Sequence, residues 1–405
     1  MATLRYGKDA HIELEAAGGG PIELLGIPRG RPIENVAEAV ARAIDEPLDY
    51  PPLRRATTPG DRVVLALAPG APRAAETAAV VVRKLVQAGV HPDGITLLCT
   101  EVEEGDDAGD PRRLLEPGLR EHIGAHIHDP GNRADLAYLA ATESGRPILI
   151  SRVLHEADLV VPIGGVLDMA AAGYFGIHGG IFPAFADDET LIRFRSLGSL
   201  AQNGTHKQAL IDEANEAAWL LGISFTIQLL PGDGFRVLEV LAGNCETVQR
   251  QASDRYAAAW RQPNAAPRAS LVVAAIAGEA GIQTWQNLGR ALDNAGRLVD
   301  DGGAVAVCCE LHDPPGPGVR AIANTRSRQA RIHALRRQKP IDALPAAQIA
   351  RALDRGSVYL LSRLEPDSVE NLDMVPIANP TELARLTRQH KMCTLLANAS
   401  CAILE

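Results

Sequence analysis

The sequence predicts an α/β protein of two domains, each built on a mainly parallel sheet with flanking helices, with a cleft between them. Three observations carry that expectation. From Arg62 onward, short apolar runs alternate with amphipathic stretches in the order strand, helix, strand. The alternation is interrupted by the polar, proline-containing Gln262-Pro-Asn-Ala-Ala-Pro267 and then begins again. The 405 residues also exceed what one ordinary core accommodates. The expected division is 1–265 and 266–405.

Taken in order, His11 to Glu15 alternates and predicts an edge strand, followed by proline-rich connections. Asn35 to Ile44 sets Val36, Ala37, Val40, Ala43 and Ile44 at helical spacing. Arg62 to Ala68 predicts a strand, Pro69-Gly-Ala-Pro72 a turn, and Arg73 to Ala88 a helix closed by Gly89. Ile95 to Thr100 is the next strand and runs into the acidic Glu101 to Asp107. A helix is expected over Pro111 to Gly124, then short strands at Ala125 to His128 and Pro147 to Ser151. This alternation implies parallel pairing with right-handed crossovers.

Asp158-Leu-Val-Val-Pro-Ile163 predicts a buried strand that delivers its carboxyl end into a loop rich in glycine, at 164, 165, 173, 176, 179 and 180, with Tyr174 and His178 among them. Glycine lets the backbone take positive φ and lets a ligand approach main-chain N–H groups. Ligands in such sheets lie beyond strand carboxyl ends, so a binding site is one reading. A loop that is glycine-rich only to pack tightly is the other.

Helices follow at Glu189 to Leu197 and Lys207 to Leu221. Ser224 to Leu230 and Gly234 to Leu241 flank Pro231-Gly-Asp-Gly234 as a hairpin, and Thr247 to Arg261 is helical. The second domain opens with the strand Ser270 to Ala277, the helix Thr284 to Leu298 and the strand Gly303 to Cys309. His312 to Gly318 forms a rigid loop, and Arg326 to Gln338 a basic helix read as a solvated face. Strands at Val358 to Leu361 and Asp373 to Ile377, and a helix at Thr381 to His390, complete it. The loops after Leu67, Thr100, Gly164 and Ile276 are expected to line the cleft.

Composition bounds the function. With 46% hydrophobic and 22% charged residues the chain is globular, and a formal charge of −10 argues against nucleic acid or an anionic membrane as partner. No apolar run is long enough to cross a bilayer and no signal peptide is evident, so a cytoplasmic location is expected. The six cysteines lack CxxC spacing, which argues against a zinc site or a disulfide framework.

Several short motifs occur in a fixed order. His126-Ile-His-Asp129, Ala137 to Thr142, Gly145-Arg-Pro147 and Glu156 to Val160 precede Ala172-Gly-Tyr-Phe-Gly-Ile-His-Gly-Gly-Ile-Phe-Pro183. Glu189-Thr-Leu191 follows, and Gly281 to Leu292 with Asp301-Gly-Gly303 comes later. In this order and spacing they resemble the nickel-dependent lactate racemase (LarA) family over nearly the whole chain. The resemblance implies a racemase or epimerase of 2-hydroxy acids. Its pincer-type nickel nucleotide is tethered by a loop lysine and its nickel is bound by a histidine of the next helix.

By position the tethering lysine is Gly179 here and the nickel histidine is Arg195. Gly has no amine, and a permanently protonated guanidinium is not a metal ligand. The family's facing pair of proton-transfer histidines falls at Glu103 and Met169. A carboxylate can act as a base if its pKa is raised, whereas a thioether cannot take the proton. The family's Asp-x-Thr-Arg turn is Pro69 to Pro72, with Arg73 one position late, and its Tyr-Gln pair is Trp285-Gln286. The substrate lysine falls at Gly289, beside Arg290, whose fork suits a carboxylate.

The resemblance thus implies cofactor-side positions at Thr100, Gly176, Gly179 and Gly180 and substrate-side positions at Arg73, Trp285, Gln286 and Arg290. Glu103 and His178 are the catalytic candidates. No metal ligand and no cofactor are expected, the nickel-pincer nucleotide being implied by resemblance alone. Three functions follow: a repurposed or non-catalytic relative, an active racemase or epimerase using substitutes such as His178, Glu103 or Glu104, and a subunit for small-anion binding or assembly. The expected partner is a small hydroxy acid or another small anion, with a homo-oligomer possible.

Overall fold

This computed structural model describes residues 2–404 apart from 101–109, 143–144, 201–203, 263–267, 324 and 326, and the backbone alone at 328. Two six-stranded sheets organise the chain. The first runs in the order Val237–Asn244, Phe225–Pro231, Leu159–Gly165, Val63–Leu67, Ile95–Cys99 and Gly124–Ile127. Its neighbours are parallel except for the hairpin at the first edge. The second runs Val375–Pro376, Ser357–Leu361, Val299–Cys308, Ala269–Ala275, Cys393–Leu396 and Ile22–Leu25, all parallel. The α/β expectation is met most clearly at Val63–Leu67, a central strand of the first sheet that is apolar throughout with every residue buried.

Local signals place most helices where the sequence predicts them. Asn35 caps Val36–Asp45 by accepting from the Glu38 N–H at 3.0 Å, and Val36, Ala39, Val40 and Ile44 form the buried stripe. Ala74–Gln87 follows the turn at Pro69 to Pro72. Among the described residues, no helix is long and apolar enough to cross a membrane. The basic helix Arg328–Gln338 is solvated over most of its length, but Arg331 is buried and paired with Asp354 and Asp373.

Four expectations change. The stretch Pro111 to Gly124 forms only the single helical turn Pro117–Arg120, because Asp110 gathers Arg112 and Arg120 into a compact ion cluster. Pro147–Ser151 leaves the parallel sheet and pairs antiparallel with Leu136–Ala141. The helix Ala343–Arg355, not anticipated from sequence, packs along Trp285–Leu298. There Gly289 permits close approach: a Cβ on it would sit 2.6 Å from Gln348 Oε1 and 3.0 Å from Pro345 Cα.

The fourth change concerns the amino terminus, which sequence order groups with residues 1–265. Ile22–Leu25 pairs with Cys393–Leu396 on the second sheet. The hairpin Ala2–Tyr6 and Ala10–Leu14 packs Leu4, Ile12 and Leu14 against Leu271, Val273 and Leu395 of the same sheet. Pairing between strands so distant in sequence leaves no local trace.

The last residues cross the other way. Cys401 joins a cluster with Val166, Leu230, Val248 and Trp260, and the Tyr256 hydroxyl donates to the Cys401 carbonyl at 2.7 Å. Asn398, in the left-handed region at φ 45° and 2% exposed, donates through Nδ2 to the Gly26 carbonyl (3.0 Å) and Asp233 Oδ1 (3.1 Å). Its Oδ1 accepts from the Gly234 N–H at 2.9 Å. This side chain therefore ties a loop of the second sheet to the hairpin turn of the first. Asn398→Gly keeps the backbone conformation and removes all three bonds, so equilibrium denaturation should show a loss of about 1–3 kcal/mol.

Candidate functional site

The site grows from the carboxyl end of Leu159–Gly165. The chain leaves the sheet, crosses residues 166–176 as an irregular loop, and closes in the one-turn helix Ile177–Gly180. Gly176 has φ 78°, and a Cβ there would lie 3.1 Å from Gln249 Oε1. That oxygen accepts the Ile177 N–H at 2.9 Å, so the helix Cys245–Trp260 sets the turn. Gly180 rests on the end of Val63–Leu67, where a Cβ would be 2.7 Å from that of Ala68.

Side chains from two further helices grip the loop's middle. Lys207, on Thr205–Leu220, donates to the carbonyls of Met169 (2.6 Å) and Ala171 (2.7 Å). Burial, and then the Arg290 charge, lower its pKa to about 8. From the second sheet's helix, Gln286 Nε2 and Arg290 Nε both donate to the Ala172 carbonyl, at 3.2 and 2.8 Å. Arg290 Nη1 also donates to Asn287 Oδ1 at 3.1 Å. Burial lowers the pKa of this guanidinium, which nonetheless stays charged.

Between the sheets these elements enclose a cavity of about 150 Å³. Its wall includes the Pro69 to Pro72 turn, Gly164, Gly165, the glycine loop, Arg195, Gln228, and from the second sheet Ile282, Asn287 and Arg290. A cavity of this size holds a ligand about as large as benzene. Its described lining contains two arginines and no carboxylate.

The residues picked out from sequence divide sharply. Gly176, Gly179, Gly180 and Arg290 line the cavity. Gln286 stands just behind it, against Gly173 and the Ala172 carbonyl. Trp285 is 9% exposed in the second sheet's core, and its Nε1–H donates to the Asp313 carbonyl at 3.1 Å. Arg73 is exposed at the start of its helix, 3.8 Å from Glu76, and is not among the lining residues. Thr100 follows the strand Ile95–Cys99 and lies outside the lining, and Glu103 and Glu104 lie outside the described residues.

His178 turns away from the cavity. Its Nδ1 donates to Asn215 Oδ1 at 2.9 Å, and its Nε2 is buried without a partner. Burial lowers its pKa. Sequence reasoning missed Gln228, Gln249 and Lys207. For Gln228 a signal exists, a single amide inside the apolar run Phe225-Thr-Ile-Gln-Leu-Leu230; Lys207 and Gln249 lie on ordinary helical faces and carry none.

Residues 6–207 match the model of the lactate racemase N-terminal domain. The chain belongs to the lactate racemase-like family. Among solved structures, this family member is similar to the lactate racemase apoprotein from Thermoanaerobacterium thermosaccharolyticum. Identity is 17%, the TM-score is 0.77, and the match covers 100% of this chain and 99% of that one. A structural-genomics protein from Thermotoga maritima is similar at 12% identity and a TM-score of 0.67, over 92% of this chain and 98% of its own. At such identities the likeness shows the fold. A comparison with curated protein sequences finds no match.

Within this lactate racemase-like fold, His178 and His128 are both held neutral, chiefly by burial. His128 donates from Nε2 to the Ala186 carbonyl at 2.8 Å. Each has a folded pKa below its unfolded value, so the unfolded state binds more protons as pH falls. Stability is complete above the ordinary value of 6.5 and declines as pH drops below it. Denaturation series from pH 7.5 to 5 should show this decline, at most about 1.4 kcal/mol per pH unit for each histidine, and His178→Gln should make it shallower.

Proposed function

We propose that this lactate racemase-like chain binds a small carboxylate in the cavity between its sheets and does not run the nickel-pincer reaction. The observation that carries the reading is Arg290. Its Nε and Nη1 are fixed by Ala172 and Asn287, leaving Nη2 uncommitted among the described residues at the wall of a cavity that Arg195 also lines. A guanidinium oriented in this way in low dielectric suits a carboxylate.

The residues present do not fit the family's cofactor. Gly179 offers no amine, and a Cβ on it would come within 3.1 Å of that of Phe175. At the cavity wall Arg195 would repel a metal cation rather than bind it. No three His, Cys, Asp or Glu side chains gather into a metal-binding group among the described residues. The one imidazole of the glycine loop, His178, is engaged with Asn215 outside the cavity lining. The space suits an acid of a few heavy atoms better than a nucleotide, whose sites are several times larger.

On this reading the pocket retains the carboxylate-binding half of the family's task. Lactate at ten times its dissociation constant should stabilise the protein by about 1.4 kcal/mol, seen as a rise in melting temperature. Arg290→Met should abolish that rise. Protein made in cells able to build the pincer cofactor should carry unmodified mass and no stoichiometric nickel. A stoichiometric nickel nucleotide adduct would refute the reading.

A further inference from the structure

The cavity wall contains polar atoms that the fold leaves unused. Gln228 lies opposite Gly164 in the parallel pair of Phe225–Pro231 and Leu159–Gly165, and is 1% exposed. Its Nε2 donates to Thr226 Oγ1 at 2.8 Å, and that hydroxyl donates in turn to the Pro162 carbonyl at 3.4 Å. This relay orients the amide. The Thr226 hydroxyl spends its proton on Pro162 and so accepts from Gln228, which makes Oε1 the end left over. Oε1 has no donor among the described residues.

The backbone is shaped around this side chain. A Cβ at Gly164 would lie 2.7 Å from Gln228 Oε1 and 2.9 Å from Nε2, so only glycine admits the amide there. A second unused group comes from the glycine loop. Tyr174 is 8% exposed, and its hydroxyl is buried beside the Leu167 backbone without completing a hydrogen bond. Both residues line the same cavity as Arg195 and Arg290. A buried acceptor without a donor destabilises the fold unless a bound group supplies one.

We infer that Gln228 is the specificity-determining residue of this cavity: its Oε1 accepts a hydrogen bond from a ligand hydroxyl while Arg290 holds the ligand's carboxylate. The inference rests on the carboxylate reading above and adds the second recognition element. A short acid bearing a hydroxyl satisfies Oε1. An unsubstituted acid leaves it bare, and a keto acid sets a second carbonyl oxygen against it, so both are disfavoured. Tyr174, able to donate or accept, serves the oxygen of the same hydroxyl.

Calorimetric titration of the full chain with lactate, propionate and pyruvate tests this. Wild-type protein should prefer lactate by about tenfold or more over each of the others, the scale of one buried hydrogen bond. Gln228→Met, close in length and volume, should lower lactate affinity to the propionate level and leave propionate unchanged. Gly164→Ala, which displaces the amide without removing it, should reduce the preference in the same direction and covers the case in which Gln228→Met fails to fold. Equal wild-type affinity for the three acids, or an undiminished lactate preference in both variants, overturns the role of Gln228 and leaves the carboxylate reading standing. Failure of all three acids to bind the wild type overturns the carboxylate reading and this inference with it.

Discussion

A loop made largely of glycine and alanine has no side chains with which to hold its own shape, so its conformation must be imposed from outside. Four side chains do this here. Gln249 takes the N–H of Ile177, Lys207 takes the carbonyls of Met169 and Ala171, and Gln286 and Arg290 converge on the carbonyl of Ala172. Each is buried or half-buried, so each hydrogen bond is made in a medium where leaving it unmade is costly. Two of the four come from the helix of the second sheet, which makes the loop a joint between the two sheets as well as a cavity wall.

That joint explains how an acidic protein comes to hold a cationic pocket. The formal charge of −10 is spread over the surface, while Arg195, Lys207 and Arg290 are drawn toward one loop. Their mutual influence appears in the pKa values: the charge of Arg290 adds to burial in lowering Lys207, and Arg195 adds to burial in lowering Arg290. Such a concentration of like charge is unfavourable by itself. Backbone carbonyls at 169, 171 and 172 offset part of it, and a bound anion would offset more.

How legible the site was from sequence follows from what kind of residue each position is. The absence of an amine at 179 or an imidazole at 195 is visible in the sequence once the loop is recognised. The direction of a side chain is not. His178 is a candidate from sequence because it adjoins Gly179, the position of the family's lysine, and the structure shows a loop histidine bonded to Asn215. Trp285 and Arg290 are five positions apart on one helix, and only the second lines the cavity. Gly289 faces the helix Ala343–Arg355 instead, whereas its neighbour Arg290 reaches the cavity wall.

The sequence alone determined the alternation of strand and helix, most helix boundaries, and the glycine loop at a strand's carboxyl end. These depend on apolar periodicity, caps and turn residues within a dozen positions of one another. Tertiary structure decided what joins across distance. Ile22–Leu25 adds to a sheet whose adjacent strand begins at Cys393, Asn398 bolts that sheet to the turn at Asp233, and Gln228 meets Gly164 across a strand pair. Such contacts bury polar atoms and backbone edges that are satisfied only when remote segments arrive together, so no local pattern announces them.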